Sequence, residues 1–111
     1  MAVKKYLGEL EQMVMLAAMQ LGEQAYTLGV RKELESRAGR SLSRSALYQT
    51  LDRLGYKGYL EWDFEAAKIP ERGGHPMRRI RITPAGRRVL RATRRALNKL
   101  WEGLEEQLEE S

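Results

Sequence analysis

The side chains with chemistry to offer gather in two places. Between Ser43 and Tyr56, Ser45, Gln49, Asp52 and Tyr56 recur at helical spacing, flanked by Arg44, Tyr48 and Arg53. At about 100° per residue they share one side of a helix, opposite Leu47, Leu51 and Leu54, the apolar stripe at i, i+4 and i+7. These types donate and accept hydrogen bonds in a row that a groove admits: Gln can pair with adenine N6/N7 and Arg with guanine O6/N7. The second place is a block of charge. Residues 1–71 hold ten Lys/Arg and ten Asp/Glu, residues 72–99 hold ten Lys/Arg and no acid, and residues 100–111 hold five Glu and no base. Such a cationic window repels itself unless an anion accepts it, and nucleic acid or an anionic membrane surface are the candidates beside a merely solvated face.

Composition excludes other chemistries. With no cysteine there is no disulfide, no thiolate zinc site and no cysteine nucleophile, and the single His75 rules out a multi-histidine metal site within one chain. No glycine-rich phosphate loop is present, so nothing assembles a catalytic pair with an orienting partner, and an enzyme is not expected. No cofactor is implied. The longest uncharged, apolar-rich run, Gln12 to Gly22, is about half the ~20 residues a bilayer requires. Met1 to Leu10 lacks the apolar stretch of a signal peptide, so a soluble, cytoplasmic protein is expected.

The elements that position these residues can be read along the chain of 111 residues. A first helix, about Gly8 to Leu21, is apolar nearly all round and so needs cover on more than one side, the second cover being another subunit. A second helix spans about Tyr26 to Arg37, with Thr27 as N-cap, Leu28 and Leu34 facing inward and Gly39 ending it in a left-handed cap. Ser43 caps the third helix, which ends near Lys57-Gly58. The period then changes to alternation: Leu60, Trp62 and Phe64 share one face of a strand, and Ile80 and Ile82 point inward from a second, Arg78 to Ile82, with Arg79 and Arg81 outward. The loop between them holds Pro70, Gly73, Gly74 and Pro76. Thr83-Pro84 opens a last helix with no expected break before Glu110, about 40 Å long. Leu90, Leu97, Leu100, Trp101, Leu104 and Leu108 make its seam, Leu90, Leu97 and Leu104 falling seven apart as for packing against another helix. The terminal acids oppose the helix dipole, so the last turn should fray. Arg87, Arg88, Arg91, Arg94 and Arg95 read as surrounding this helix.

The fold class expected is α+β, mostly α: a winged helix-turn-helix of three helices and a two-stranded wing over residues 1–82, with a long C-terminal dimerisation helix over 83–111. In this order the chain resembles the PadR-type transcriptional regulators of bacteria. The resemblance is carried by Leu7-Gly8-Glu9-Leu10-Glu11, Ala25-Tyr26, the run Ser45 to Leu54, Lys57-Gly58-Tyr59-Leu60, the wing Glu71 to Arg79, and Ile82-Thr83-Pro84-Ala85-Gly86. Ser45, where the family usually has Gly, and Ile80, where it usually has an aromatic, are departures that leave the fold intact and the sequence preference open. The resemblance implies a homodimer that represses transcription from a palindromic operator, often its own, and that a small molecule can release.

On this reading the contacts to double-stranded DNA divide into positioning and reading. Ser43, Arg44, Ser45, Tyr48, Gln49 and Arg53 serve the helix in the major groove, and Arg72, His75, Arg78 and Arg79 serve the wing at the adjacent minor groove or its phosphates. Tyr48 has two readings, a phosphate donor or a packing residue against the second helix; Asp52 is expected to pair with a neighbouring arginine. Tyr26 and Arg31 are weaker candidates for the backbone. Leu10, Val14, Leu90, Leu97, Leu100, Trp101, Leu104 and Leu108 are the expected dimerisation residues. Trp101 is either a plain interface anchor or, paired across the dimer, a stacking site for a small aromatic effector. The competing function is a winged-helix protein-interaction module whose basic wing meets an acidic protein.

Overall fold

The computed structural model describes residues 6–65 and 77–109. The elements run α1 (Glu9–Leu21), a 3-10 turn (Gly22–Gln24), α2 (Thr27–Ala38), α3 (Arg44–Tyr56), β1 (Leu60–Glu65), β2 (Met77–Ile82), α4 (Pro84–Trp101) and α5 (Glu105–Glu109). This is the three-helix, two-stranded wing arrangement of a winged helix-turn-helix, followed by a long helix. The stretch that contains Arg72, His75 and the glycines of the wing tip lies outside the described residues, as does Glu110.

The core lies where the three helices meet the hairpin. Val14 and Met15 of α1, Val30 and Leu34 of α2, Leu47, Leu51 and Leu54 of α3, Leu60 of β1 and Ile80 of β2 are buried together. β1 and β2 pair antiparallel with Leu60 opposite Ile82, Trp62 opposite Ile80 and Phe64 opposite Arg78. The hairpin is also pinned from its other edge: Ile80 N–H donates to Ala25 C=O at 2.9 Å, and Tyr26 and Arg79 form an isolated bridge. That third, one-residue strand leaves no signal in the alternation pattern, because it needs only one extended residue between α1 and α2.

Several local expectations change. Tyr26, with extended backbone, is the residue that precedes the first turn of α2, so Thr27 is inside the helix; its hydroxyl is buried without a hydrogen-bond partner among the described residues. The buried face of α2 is Thr27, Val30 and Leu34 at i, i+3 and i+7, which leaves Leu28 about 100° off that face and exposed. Gly39 takes the left-handed conformation, φ 65°, and its N–H closes on Glu35 C=O, as a C-capping glycine should.

The last helix is not continuous. It stops at Trp101; Glu102 leaves helical geometry and Gly103 adopts φ 82° before the short α5. Glycine is the residue that accepts this conformation at little cost, while continuing the helix through it would cost about 1 kcal/mol against alanine. α4 is therefore about 27 Å long at ~1.5 Å per residue. At its start, Thr83 Oγ1 accepts from Gly86 N–H at 3.1 Å and donates to Gly58 C=O at 2.6 Å. Gly86 lies so close to the chain leaving α3 that an added Cβ would stand 2.0 Å from Tyr59 O. Further along, Thr93 Oγ1 accepts from Leu7 N–H at 3.1 Å, tying α4 to the segment before α1. No helix of the described residues is long and apolar enough to cross a membrane.

Glu11 joins α1 to the end of α3. Its carboxylate accepts from Gly8 N–H at 3.0 Å and meets Lys57 Nζ at 3.0 Å. Burial is the largest single influence on this carboxyl and pushes its pKa up. The Gly8 N–H, the Lys57 ammonium and the nearby Arg53 together outweigh burial and hold it below its ordinary value. A depressed carboxylate stabilises the fold above its unfolded pKa, and the contribution is lost as pH falls through the folded one. Glu11→Gln is expected to cost about 1.5–3 kcal/mol at pH 7, as for a hydrogen-bonded charge. In urea melts over a pH series the gap between variant and parent should narrow as the parent's Glu11 is protonated.

Candidate nucleic-acid interface

α3 begins cleanly because Ser43 Oγ accepts from Ala46 N–H at 3.0 Å. Thr50, on the buried side, returns its hydroxyl to Ala46 C=O at 2.9 Å, so no polar group of that side is left unmet. Leu47, Leu51 and Leu54 are wholly buried, and Arg44, Ser45, Gln49, Asp52, Arg53 and Tyr56 are exposed, Tyr56 almost completely (94%). The turn ahead of α3 is held by Arg31, whose Nε donates to Leu42 C=O at 3.1 Å. This interaction occupies part of a guanidinium expected at a DNA backbone. The residues gathered on the free side of α3 are those the spacing selected.

The wing arginines differ from one another. Arg81 pairs with Asp63 and, at 3.4 Å, with Glu61, both across the hairpin. The hydrogen bond from Arg81 holds the Asp63 carboxyl below the usual range, and Asp63 in turn favours the charged guanidinium. Arg79 shares the outer face, 4.0 Å from Asp63. Arg78 faces the other way. It stands on the side of β2 that carries Ile80 and Ile82, and its Nη1 bonds Asp52 Oδ1 of α3 at 3.0 Å. Its guanidinium lies 4.6 Å from the Tyr48 ring centre, 4.5 Å from that of Trp62 and 5.8 Å from that of Phe64. Each such contact is worth ~0.5–1 kcal/mol at an exposed site, and more when shielded. Asp52 thus pairs with an arginine as expected, and Tyr48 meets the wing, a contact distinct from both roles expected of it. The alternation that placed Ile80 and Ile82 inward also places Arg78 inward, two residues earlier.

The basic residues of α4 do not surround it. With Gly86, Val89 and Thr93 buried, Arg87, Arg88, Arg91, Arg94, Arg95 and Lys99 all project from the opposite side, within an arc of about 140° at ~100° per residue. None of them pairs with an acid among the described residues. The expected dimerisation residues separate as well. Val14 is wholly enclosed in the subunit's own core and has no surface to share; Leu10 and Leu90 are half-buried against that core. Leu97, Leu100 and Trp101 are exposed along one side of α4, and Leu104 and Leu108 are exposed beyond the break, so the spacing of seven does not follow one helix axis. On α1, Leu16 and Met19 are about half exposed, at 49% and 46%.

A polar-faced helix set on an apolar stripe, preceded by a capped turn and flanked by a hairpin, defines the winged helix-turn-helix class. The model of the transcriptional regulator PadR-like family matches residues 15–92, well over half the chain. A PadR family transcriptional regulator from Eggerthella lenta is 30% identical, with 93% of this chain and 88% of that one covered and a TM-score of 0.67. A PadR-like transcription factor from Bacteroides fragilis is 22% identical over 87% of each chain, TM-score 0.69. A protein of Thermoplasma acidophilum described as a transcriptional regulator shares the fold at 16% identity, covering 92% of this chain and 96% of that one, TM-score 0.68. No curated protein matches significantly. The chain belongs to the PadR-like family of transcriptional regulators, which are not enzymes, and membership implies DNA binding.

Ser43→Ala is expected to cost about 1 kcal/mol of stability by removing the cap of α3, measured by urea denaturation, while Ser45→Ala, exposed and outside the cap, should be near neutral.

Proposed function

We propose that this regulator is a homodimer that reads a specific, palindromic DNA sequence and represses transcription by occupying it, in the cytoplasm. The observation that supports this reading best is the exposed row Ser45, Gln49 and Arg53 opposite three wholly buried leucines. Burial fixes which side of α3 is offered, and the offered side has the groups that recognise base edges. In this account Gln49 pairs with adenine and Arg44 or Arg53 with guanine, while Ser43 and Ser45 lie near phosphate at the positive end of the helix. Arg79, with Arg72 and His75 of the wing tip, holds the adjacent backbone.

What supports dimerisation is exposed apolar surface on α4 and α1, where Leu97, Leu100 and Trp101 need a cover that the described residues do not supply. Residues 1–82 act as the DNA-binding part and 83–111 as the arm, the first half of α4 being anchored to the former. Two α3 helices would then enter successive major grooves about 34 Å apart. A small aromatic molecule stacked between paired Trp101 side chains is the form release would take.

A gel shift with random duplex DNA across a salt series tests the reading. Retardation that weakens steeply with salt is expected from counterion release; no retardation even at low salt would favour an acidic protein as the wing's partner. Gln49→Ala should lose about 1–3 kcal/mol of discrimination at one base pair with little change on random DNA. Leu97→Asp should yield monomers in sedimentation, and a persisting dimer would remove Leu97 from the interface.

A further inference from the structure

We propose that Arg78 is a positioning residue: it latches the wing to α3 through Tyr48 and Asp52 and thereby sets sequence preference, without touching DNA. The inference rests on the sequence-specific reading above. A guanidinium has two faces and an edge of donors. Here the rings of Tyr48 and Trp62 lie within 5 Å of the guanidinium carbon and Asp52 takes an edge nitrogen at 3.0 Å. Only 19% of the Arg78 side chain is exposed, against 33% for Arg79 and 45% for Arg81. A phosphate would have to draw Arg78 away from both rings and a carboxylate together.

The partners belong to two different elements. Tyr48 and Asp52 are four residues apart and so share one side of α3; Trp62 and Phe64 come from β1, Phe64 directly opposite Arg78. One cation therefore fixes the angle between the helix that reads bases and the hairpin that holds the backbone. It also gives Asp52, the one acid of α3, a fixed partner on the wing.

The test uses the duplex that the full-length wild-type protein enriches from a randomised library, and a random duplex of equal length. Arg78→Met should lower the preference for the enriched duplex about tenfold and leave random-duplex affinity and its salt slope unchanged. Asp52→Asn, at an exposed position, should act in the same direction, and the double variant should be no worse than Arg78→Met. In the free protein, Asp52→Asn should speed amide exchange in both wing strands. A salt slope reduced by about one, with equal loss on both duplexes, would make Arg78 a phosphate ligand and overturn the proposal. Additive losses, an unchanged preference, or unchanged exchange would overturn it as well. Enrichment of no duplex by the wild type would instead remove the sequence-specific reading, and with it the role in preference, leaving exchange to judge the latch.

Discussion

Leu47, Leu51 and Leu54 impose the constraint on which the rest of the molecule depends. Each is wholly enclosed, and enclosing a leucine side chain is worth ~1.5–3 kcal/mol. Rolling α3 about its axis would surrender several such contributions at once, so its orientation is fixed by the core and not by any ligand. The face left over is then necessarily polar. The surrounding elements maintain that arrangement: Ser43 starts the helix, Arg31 holds the turn before it, and Lys57 ties its end to Glu11 of α1.

The hairpin is joined to the same frame at three levels. Ile80 and Ile82 insert into the core, the Ala25 carbonyl pairs with the backbone of β2, and Arg78 reaches α3 through its side chain. The polar side of α3 and the hairpin consequently form one relief instead of two independent appendages. α4 is attached at its base by Gly86 and Thr93 and emerges with its cations on one side and Leu97, Leu100 and Trp101 on the other.

The amino-acid pattern discloses the fold and the free side of α3 because both follow from periodicity. Leu47, Leu51 and Leu54 could not share a face with Gln49 in any helix, and Leu60, Trp62 and Phe64 alternate as only a strand does. Features that depend on one residue's conformation or on distant pairing were harder to see. Gly103 ends α4, yet a glycine inside an otherwise helical run is compatible with continuation, and only its positive φ decides. Val14 lies within an all-round apolar stretch, where spacing cannot tell a core residue from an interface one. The inward position of Arg78 was legible in the alternation of β2, but its charge pointed the other way. The placing of its guanidinium against the Tyr48 and Trp62 rings becomes evident only with α3 alongside.

Sequence reading by this molecule requires the polar side of α3 to enter the major groove. Dimethyl-sulfate footprinting of the enriched duplex tests this most directly, since the reagent methylates guanine N7 in the major groove and adenine N3 in the minor. Guanine N7 protection is expected in two clusters about ten base pairs apart, one per subunit. Full occupancy of the duplex with every guanine N7 still reactive would contradict it.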